Sequence, residues 1–214
     1  LAKPLHPVAG RSMAEHVLAA GEALNPDLTG LVASEQTRSI PTAINRPDIT
    51  VVLQDPPNGT GEAVRLALEA APDCARCVVL YADHPLLTGE IIAKLASALD
   101  QPGVRVAVLT MPAESTAGYG RIDREGDRVM RIVERKDEVA PRSAEFEANS
   151  GMMAIDARWA LPKLQALKPS PSTGEFYLTD LVEIAVSDAG HEGALPVVTV
   201  SGDESDLMGV NDRV

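Results

Sequence analysis

A chain of 214 residues with 45% hydrophobic content can bury one sizeable core without disulfide support, so a single domain over 1–214 is expected. Its 19 Lys and Arg against 31 Asp and Glu leave a formal charge of −12, and the basic residues are scattered rather than gathered on one face, which excludes a nucleic-acid binder. The longest apolar runs, such as Cys77 to Ala82, fall far short of the roughly 20 residues of a membrane-spanning helix.

Leu1 to Pro7 has no long apolar core of the secretory type, so the simplest expectation is a cytosolic protein. Residues 1–11 read as a loop leading into a helix, with no strand before it. A helix is predicted over Ser12 to Leu24, where Ser12 caps and Glu15 completes a capping box. Apolar runs at Thr29 to Ala33, Ile49 to Leu53, Cys77 to Ala82 and Arg105 to Thr110 read as strands. Helical patterns fall between and after them at Gly61 to Ala71, Thr88 to Leu99 and Ala157 to Leu167, with another over about Glu175 to Ser187.

This alternation predicts an α/β fold with a Rossmann-like, mixed but mainly parallel sheet, with ligands gathered at the strands' C-terminal ends. From Gly120 the pattern changes to short strands, Gly120 to Asp123, Arg128 to Glu134 and Gly151 to Ile155, divided by charged turns. That section reads as a mixed-sheet insertion. The two cysteines, Cys74 and Cys77, have metal-motif spacing but no second ligand pair, so small reduced side chains are expected there.

Several constellations offer chemistry, each with a plainer alternative. Gln54 ends a strand and Gly59-Thr60-Gly61 opens a helix, where bare backbone and free amides can meet a base or phosphate; a flexible strand-to-helix turn would look the same. Asp83 follows the strand residues Val78 to Leu80, so its carboxylate can hold a hard cation such as Mg²⁺ at the sheet edge, or simply cap the turn before the next helix.

Gly118 to Ile122 and Ile132 to Asp137 fit either hairpin structure or a ligand surface, and Asn149 before Gly151 is a turn residue or a partner for sugar hydroxyls and amides. Phe176 and Tyr177 suggest a pocket wall or core. Asn211, near the end, has a side-chain oxygen that can ligate a metal or merely face solvent in a turn.

Taken in order, Lys3 to His6 with Ala9-Gly10, Gln54 with Gly59 to Gly61, Tyr81 with Asp83, Gly118 to Ile122, Val133-Glu134 with Lys136-Asp137, Asn149 with Gly151, Glu175 to Asp180 and Gly209 to Asn211 resemble one family. It is the uridyltransferase domain of the bacterial bifunctional N-acetylglucosamine-1-phosphate uridyltransferase/glucosamine-1-phosphate acetyltransferases.

The resemblance implies Mg²⁺-dependent reaction of UTP with N-acetylglucosamine 1-phosphate to give UDP-N-acetylglucosamine and pyrophosphate. Asp83 and Asn211 would ligate Mg²⁺, Gln54, Gly59 and Thr60 would meet uracil, and Gly120, Glu134 and Asn149 would hold the sugar. Tyr81 would also touch substrate, and Lys3 would neutralise phosphate charge near the start of the site. Ala82 stands where the family usually has Gly, and Glu62 where it usually has His.

The family's first strand and its Arg-containing phosphate loop should lie just before Leu1. Its C-terminal β-helix, which carries acetyl transfer and trimerisation, should lie beyond Val214. An isolated domain without the phosphate loop is expected to be impaired. Another sugar-phosphate nucleotidyltransferase, or a non-catalytic nucleotide-sugar binding module, are the alternatives.

Overall fold

The computed structural model describes residues 2–114, 118–138, 145–190, 195–207 and 209. In chain order the elements are β1 (Pro7–Val8), β2 (Arg11–Ser12), α1 (Met13–Gly21), β3 (Thr29–Ala33), α2 (Ser39–Ile44), β4 (Ile49–Leu53), α3 (Thr60–Glu69), β5 (Arg76–Val79) and α4 (Gly89–Ser97). They continue with β6 (Val106–Glu114), β7 (Arg121–Glu125), β8 (Arg128–Val133), β9 (Glu145–Asp156), α5 (Ala157–Gln165), α6 (Asp180–Ala189), β10 (Val197–Ser201) and α7 (Glu204–Leu207). Short 3₁₀ turns occur at Lys3–Leu5, Glu22–Leu24, Ala98–Asp100 and Arg135–Asp137.

Local chemistry explains the helix starts. Ser12 Oγ accepts the Glu15 amide while the Glu15 carboxylate accepts the Ser12 amide, satisfying two donors that a helix end leaves without intrahelical partners. Thr88 caps α4 and Asp156 caps α5 in the same manner, each accepting the amide three residues on.

A six-stranded mixed sheet forms the centre. Strand β6 lies between β10, to which it is parallel, and β9, to which it is antiparallel; β9 also pairs antiparallel with β5 and touches β7, which continues to β8. Successive residues of β6 face opposite sides. Val106 and Val108 join Met153, Ile155 and side chains of α3, α5 and α6, whereas Ala107, Leu109 and Met111 join Met152, Ala154 and side chains of α4.

Strands β3 and β4 pair in parallel as a separate two-stranded sheet, packed over a smaller core of Ala14, Ile40, Ile44 and Ile49. Among the described residues no strand joins this pair to the larger sheet. The α/β class and mixed sheet agree with the sequence reading.

The section from Gly120 is more than an insertion. Its last strand, β9, runs through 12 residues and is the one against which β5, β6 and β7 all pair. The N-terminal stretch forms a 3₁₀ turn and the β1–β2 hairpin rather than an unstructured loop. Helix α6 begins at Asp180 instead of Glu175. Both cysteines are free thiols, with Cys74 Sγ donating to the Arg76 carbonyl. No helix among the described residues is long and apolar enough to cross a membrane.

Candidate active site

Asp83 sits in the turn after β5. That turn is closed by the His84 amide donating to the Tyr81 carbonyl and the Leu87 amide to the His84 carbonyl, both at 3.3 Å. Both carboxylate oxygens are engaged: Lys3 Nζ donates to Oδ2 at 2.5 Å and His84 Nδ1 lies 3.0 Å from Oδ1. Burial opposes ionisation of Asp83, but the hydrogen bonds from His84 and Lys3, with their charges, outweigh it and hold the carboxyl well below the usual range. The result is a permanent anion at the sheet edge, met by an ammonium brought across 80 positions of sequence.

Tyr81 links this carboxylate to the remaining predicted residues. Its phenol lies close to Thr60, and its ring lies against Gly151, where an added Cβ would stand 2.8 Å from Cε2. Burial pushes the phenol up to about 12; Thr60 works the other way, while the negative charges of Glu134 and Asp83 add to the rise. Tyr81 is thus within electrostatic reach of both carboxylates.

Gln54 is buried after β4, where its side-chain amide donates to the Gly59 carbonyl at 2.9 Å and its backbone amide to the Ala33 carbonyl. Gln54 therefore shapes the loop it was expected to complement. Gly59 precedes α3 at φ +105° and Thr60 is the first residue of that helix. The strap at 175–178 holds both: the Phe176 amide donates to the Asn58 carbonyl, the Gly61 amide to the Phe176 carbonyl, and the Leu178 amide to Thr60 Oγ1.

Gly120, Glu134 and Asn149 gather on the β7–β8–β9 side. The Asn149 amide donates to the Gly120 carbonyl at 2.8 Å, and its side-chain oxygen accepts the Gly151 amide. An added Cβ at Gly120 would stand 3.5 Å from Glu134 Oε2, so the glycine and the carboxylate are neighbours. Glu134 accepts a hydrogen bond from Thr179; burial pushes its carboxyl up, against that bond.

The structure thus brings Lys3 to Asp83, Thr60 to Tyr81, and Gly120 to Glu134 and Asn149, with Tyr81 between the groups. Asn211 lies outside the described residues. Glu62, at a departure from the family pattern, pairs with Arg65 on α3, and Ala82 packs against the small core under β3 and β4.

Sequence reasoning missed the roles of His84 and Thr179 and the backbone part played by Phe176. Thr179 belongs to the quoted Glu175–Asp180 segment, but its partner Glu134 is 45 positions away, so no local pattern exposes the contact.

Asp180 opens α6 beside this cluster, where burial and the charges of Glu183, Glu134 and Asp137 push its carboxyl up from 3.8 to about 6. Because the folded-state value is the higher one, Asp180 favours the fold below about pH 4 and that contribution is lost as pH rises through about 6. Asp180→Asn should therefore stabilise the protein by about 1–2 kcal/mol near pH 8, after allowance for solvent screening, with the gain vanishing near pH 4. Urea denaturation at the two pH values measures the difference.

A carboxylate kept ionised beside a lysine and a glycine loop at a helix start are both features suited to polyanionic substrates. The chain belongs to the MobA-like NTP transferase domain family, whose model matches residues 2–172. It is 38% identical over 219 residues to bifunctional protein GlmU of Streptomyces coelicolor, covering 99% of this chain and 44% of that protein. It is also 36% identical over 215 residues to bifunctional protein GlmU of Paraburkholderia phymatum, covering 100% of this chain and 46% of that protein.

The resemblance read from the motifs is therefore borne out over the whole chain, which spans less than half the length of these relatives. Solved structures bear out the fold. A protein named as a glucose-1-phosphate thymidylyltransferase from Bacillus anthracis, in complex with sucrose, has a TM-score of 0.74 at 17% identity, covering 94% of this chain and 78% of that one. The CMP:2-keto-3-deoxy-manno-octonic acid synthetase complexed with CTP has a TM-score of 0.64 at 15% identity, covering 94% and 83%.

Proposed function

We propose that this domain transfers UMP from UTP to N-acetylglucosamine 1-phosphate, releasing pyrophosphate and giving UDP-N-acetylglucosamine. The observation that carries the reading is the position of Asp83: an ionised carboxylate between Lys3 and His84, whose charge, like that of Glu134, reaches the Tyr81 phenol beside Thr60. The relatives named bifunctional protein GlmU, at 36–38% identity, support nucleotidyl transfer as the reaction class.

The donor set suits a hard cation. The Asp83 carboxylate is a hard oxygen donor at the sheet edge, the kind that suits Mg²⁺, an ion held by one or two protein oxygens with water and substrate phosphates supplying the rest. Asp83 and Asn211 would hold it. When bound, it supplies charge neutralisation to the phosphates of the reacting nucleotide.

The chain's own residues position and neutralise. Gln54 and Gly59 present amide and backbone to uracil with Thr60 beside them, and Gly120, Glu134 and Asn149 receive the sugar hydroxyls and acetamido group. Tyr81 walls the space between. Lys3 Nζ then stands beside the phosphates as a point charge while a sugar-phosphate oxygen attacks the α-phosphorus in line with departing pyrophosphate. No protein nucleophile is required.

Nucleotide choice tests the reading. The full-length gene product, offered UTP, CTP, GTP or dTTP with N-acetylglucosamine 1-phosphate, should release pyrophosphate fastest from UTP. A preference for any other base would reject the assignment in favour of a different sugar-phosphate nucleotidyltransferase.

A further inference from the structure

We propose that His84 is a positioning residue that fixes the Asp83 carboxylate while packing against Gly209; this rests on the metal role proposed above for Asp83. An ionised carboxylate only accepts hydrogen bonds, so His84 must carry its proton on Nδ1 to hold Oδ1 at 3.0 Å. The ring itself is held. Its side chain is 9% exposed, its backbone closes the turn at both ends, and it meets the Tyr81 ring at a 6.0 Å centroid separation.

The two carboxylate oxygens are therefore unequal. Oδ1 is tied to a buried, adjacent ring, whereas Oδ2 meets the Lys3 ammonium, whose side chain is 41% exposed and ends a long flexible stem. Oδ2 is the oxygen that can exchange one cation for another without rearranging the turn, and His84 holds the carboxylate in the orientation that presents it.

The opposite edge of the ring faces Gly209. A Cβ added to Gly209 would stand 3.2 Å from both Cε1 and Nε2 of His84, tighter than side chains normally approach, so only glycine fits without displacing the ring. Gly209 lies two positions before Asn211 in the sequence. The imidazole consequently stands between Asp83 and Gly209. Partners that orient metal ligands in this way are worth roughly 10–100-fold in metal affinity.

Mn²⁺ binding, followed by electron paramagnetic resonance with the metal alone as probe, tests the inference on the unmodified chain, His84→Leu, His84→Asn and Asp83→Asn. Leu fills the space without a donor, while the Asn amide nitrogen takes the place of Nδ1. We expect Asp83→Asn to lose binding, His84→Leu to weaken it about tenfold or more, and His84→Asn to stay within about threefold of the unmodified chain. Thermal melting is recorded alongside.

If Asp83→Asn loses the metal but His84→Leu binds within about twofold of the unmodified chain, the inference is overturned while the metal role of Asp83 stands. If His84→Asn is as weak as His84→Leu, the donor is not what matters and the inference is likewise overturned. Should His84→Leu fail to fold, His84→Asn decides: retained affinity supports the role and lost affinity rejects it. Full binding by Asp83→Asn would remove the metal role itself, and this inference with it.

Discussion

Replacing Asp83 by asparagine should lower Mg²⁺-dependent pyrophosphate release by about a hundred- to a thousandfold while leaving the fold in place. The two side chains have nearly the same shape, so the change removes charge rather than volume. What is lost is an anion that His84 and Lys3 keep ionised against the cost of burial.

The structural penalty is small by comparison, because the Lys3–Asp83 pair is 41% and 25% exposed on its two sides, and pairs of that kind contribute no more than about 1 kcal/mol. The folded-state value of Asp83 lies below its unfolded one, so its contribution is present above about pH 4 and fades as pH falls further. Any stability gap between Asp83→Asn and the unmodified chain should therefore close in acid. Turnover measured in the full-length gene product, beside melting curves near pH 7 and at the lowest pH at which the fold survives, separates the two effects; near-normal turnover would contradict the role given to Asp83.

Gly59→Ala should destabilise the domain by about 3 kcal/mol and abolish nucleotide binding at the concentrations that saturate the unmodified chain. Two independent costs combine. At φ +105° and ψ 172° the residue occupies a region that is essentially glycine-only, and a Cβ would stand 2.6 Å from the Phe176 carbonyl oxygen and 2.8 Å from its nitrogen. Those atoms belong to the backbone and are already committed to Gly61 and Asn58, so they cannot move without breaking the strap over the loop.

The control is Gly118→Ala, where an added Cβ meets nothing within 4 Å and the expected change is within about 0.5 kcal/mol. Urea denaturation and equilibrium titration with UTP measure both variants. A Gly59→Ala protein as stable as the control would show that the strap and loop are not locked together.

Much of the scaffold is legible in the sequence because its signals are local. The strands Thr29–Ala33 and Ile49–Leu53 were expected within the bounds observed, and Ser12 with Glu15 marked the start of α1. Strand β5 ended earlier than its apolar run, at Val79, since the chain turns toward Asp83 before Leu80 can pair.

Failures occurred where tertiary contacts override pattern. Glu175 to Leu178 has a helical look, yet its amides and carbonyls serve Asn58, Thr60 and Gly61, so the helix waits until Asp180. Strand β9 begins at Glu145 although Glu147 and Asn149 are polar, because β6 supplies an antiparallel partner along its length and Arg124 pairs with Glu147. The run Val197 to Ser201 carried a β-branched signal that went unread, and its parallel partner β6 lies about ninety positions earlier.

The candidate site shows the same division. Asp83 was legible as a carboxylate just past a buried strand, and Gly59-Thr60-Gly61 as a helix start with bare backbone. His84 looked like one more turn residue, since its meaning depends on Gly209, far along the chain. Nor does Gln54 disclose in sequence that its amide already serves the Gly59 carbonyl.

A crystal structure of the domain with Mg²⁺ and UDP-N-acetylglucosamine tests the central claim most directly. The account predicts one ion at about 2.1 Å from a carboxylate oxygen of Asp83 and from the side-chain oxygen of Asn211, with uracil over the Gln54–Gly59 loop and the sugar against Glu134 and Asn149. An ion bound away from Asp83, or a nucleotide seated elsewhere on the sheet, would contradict it.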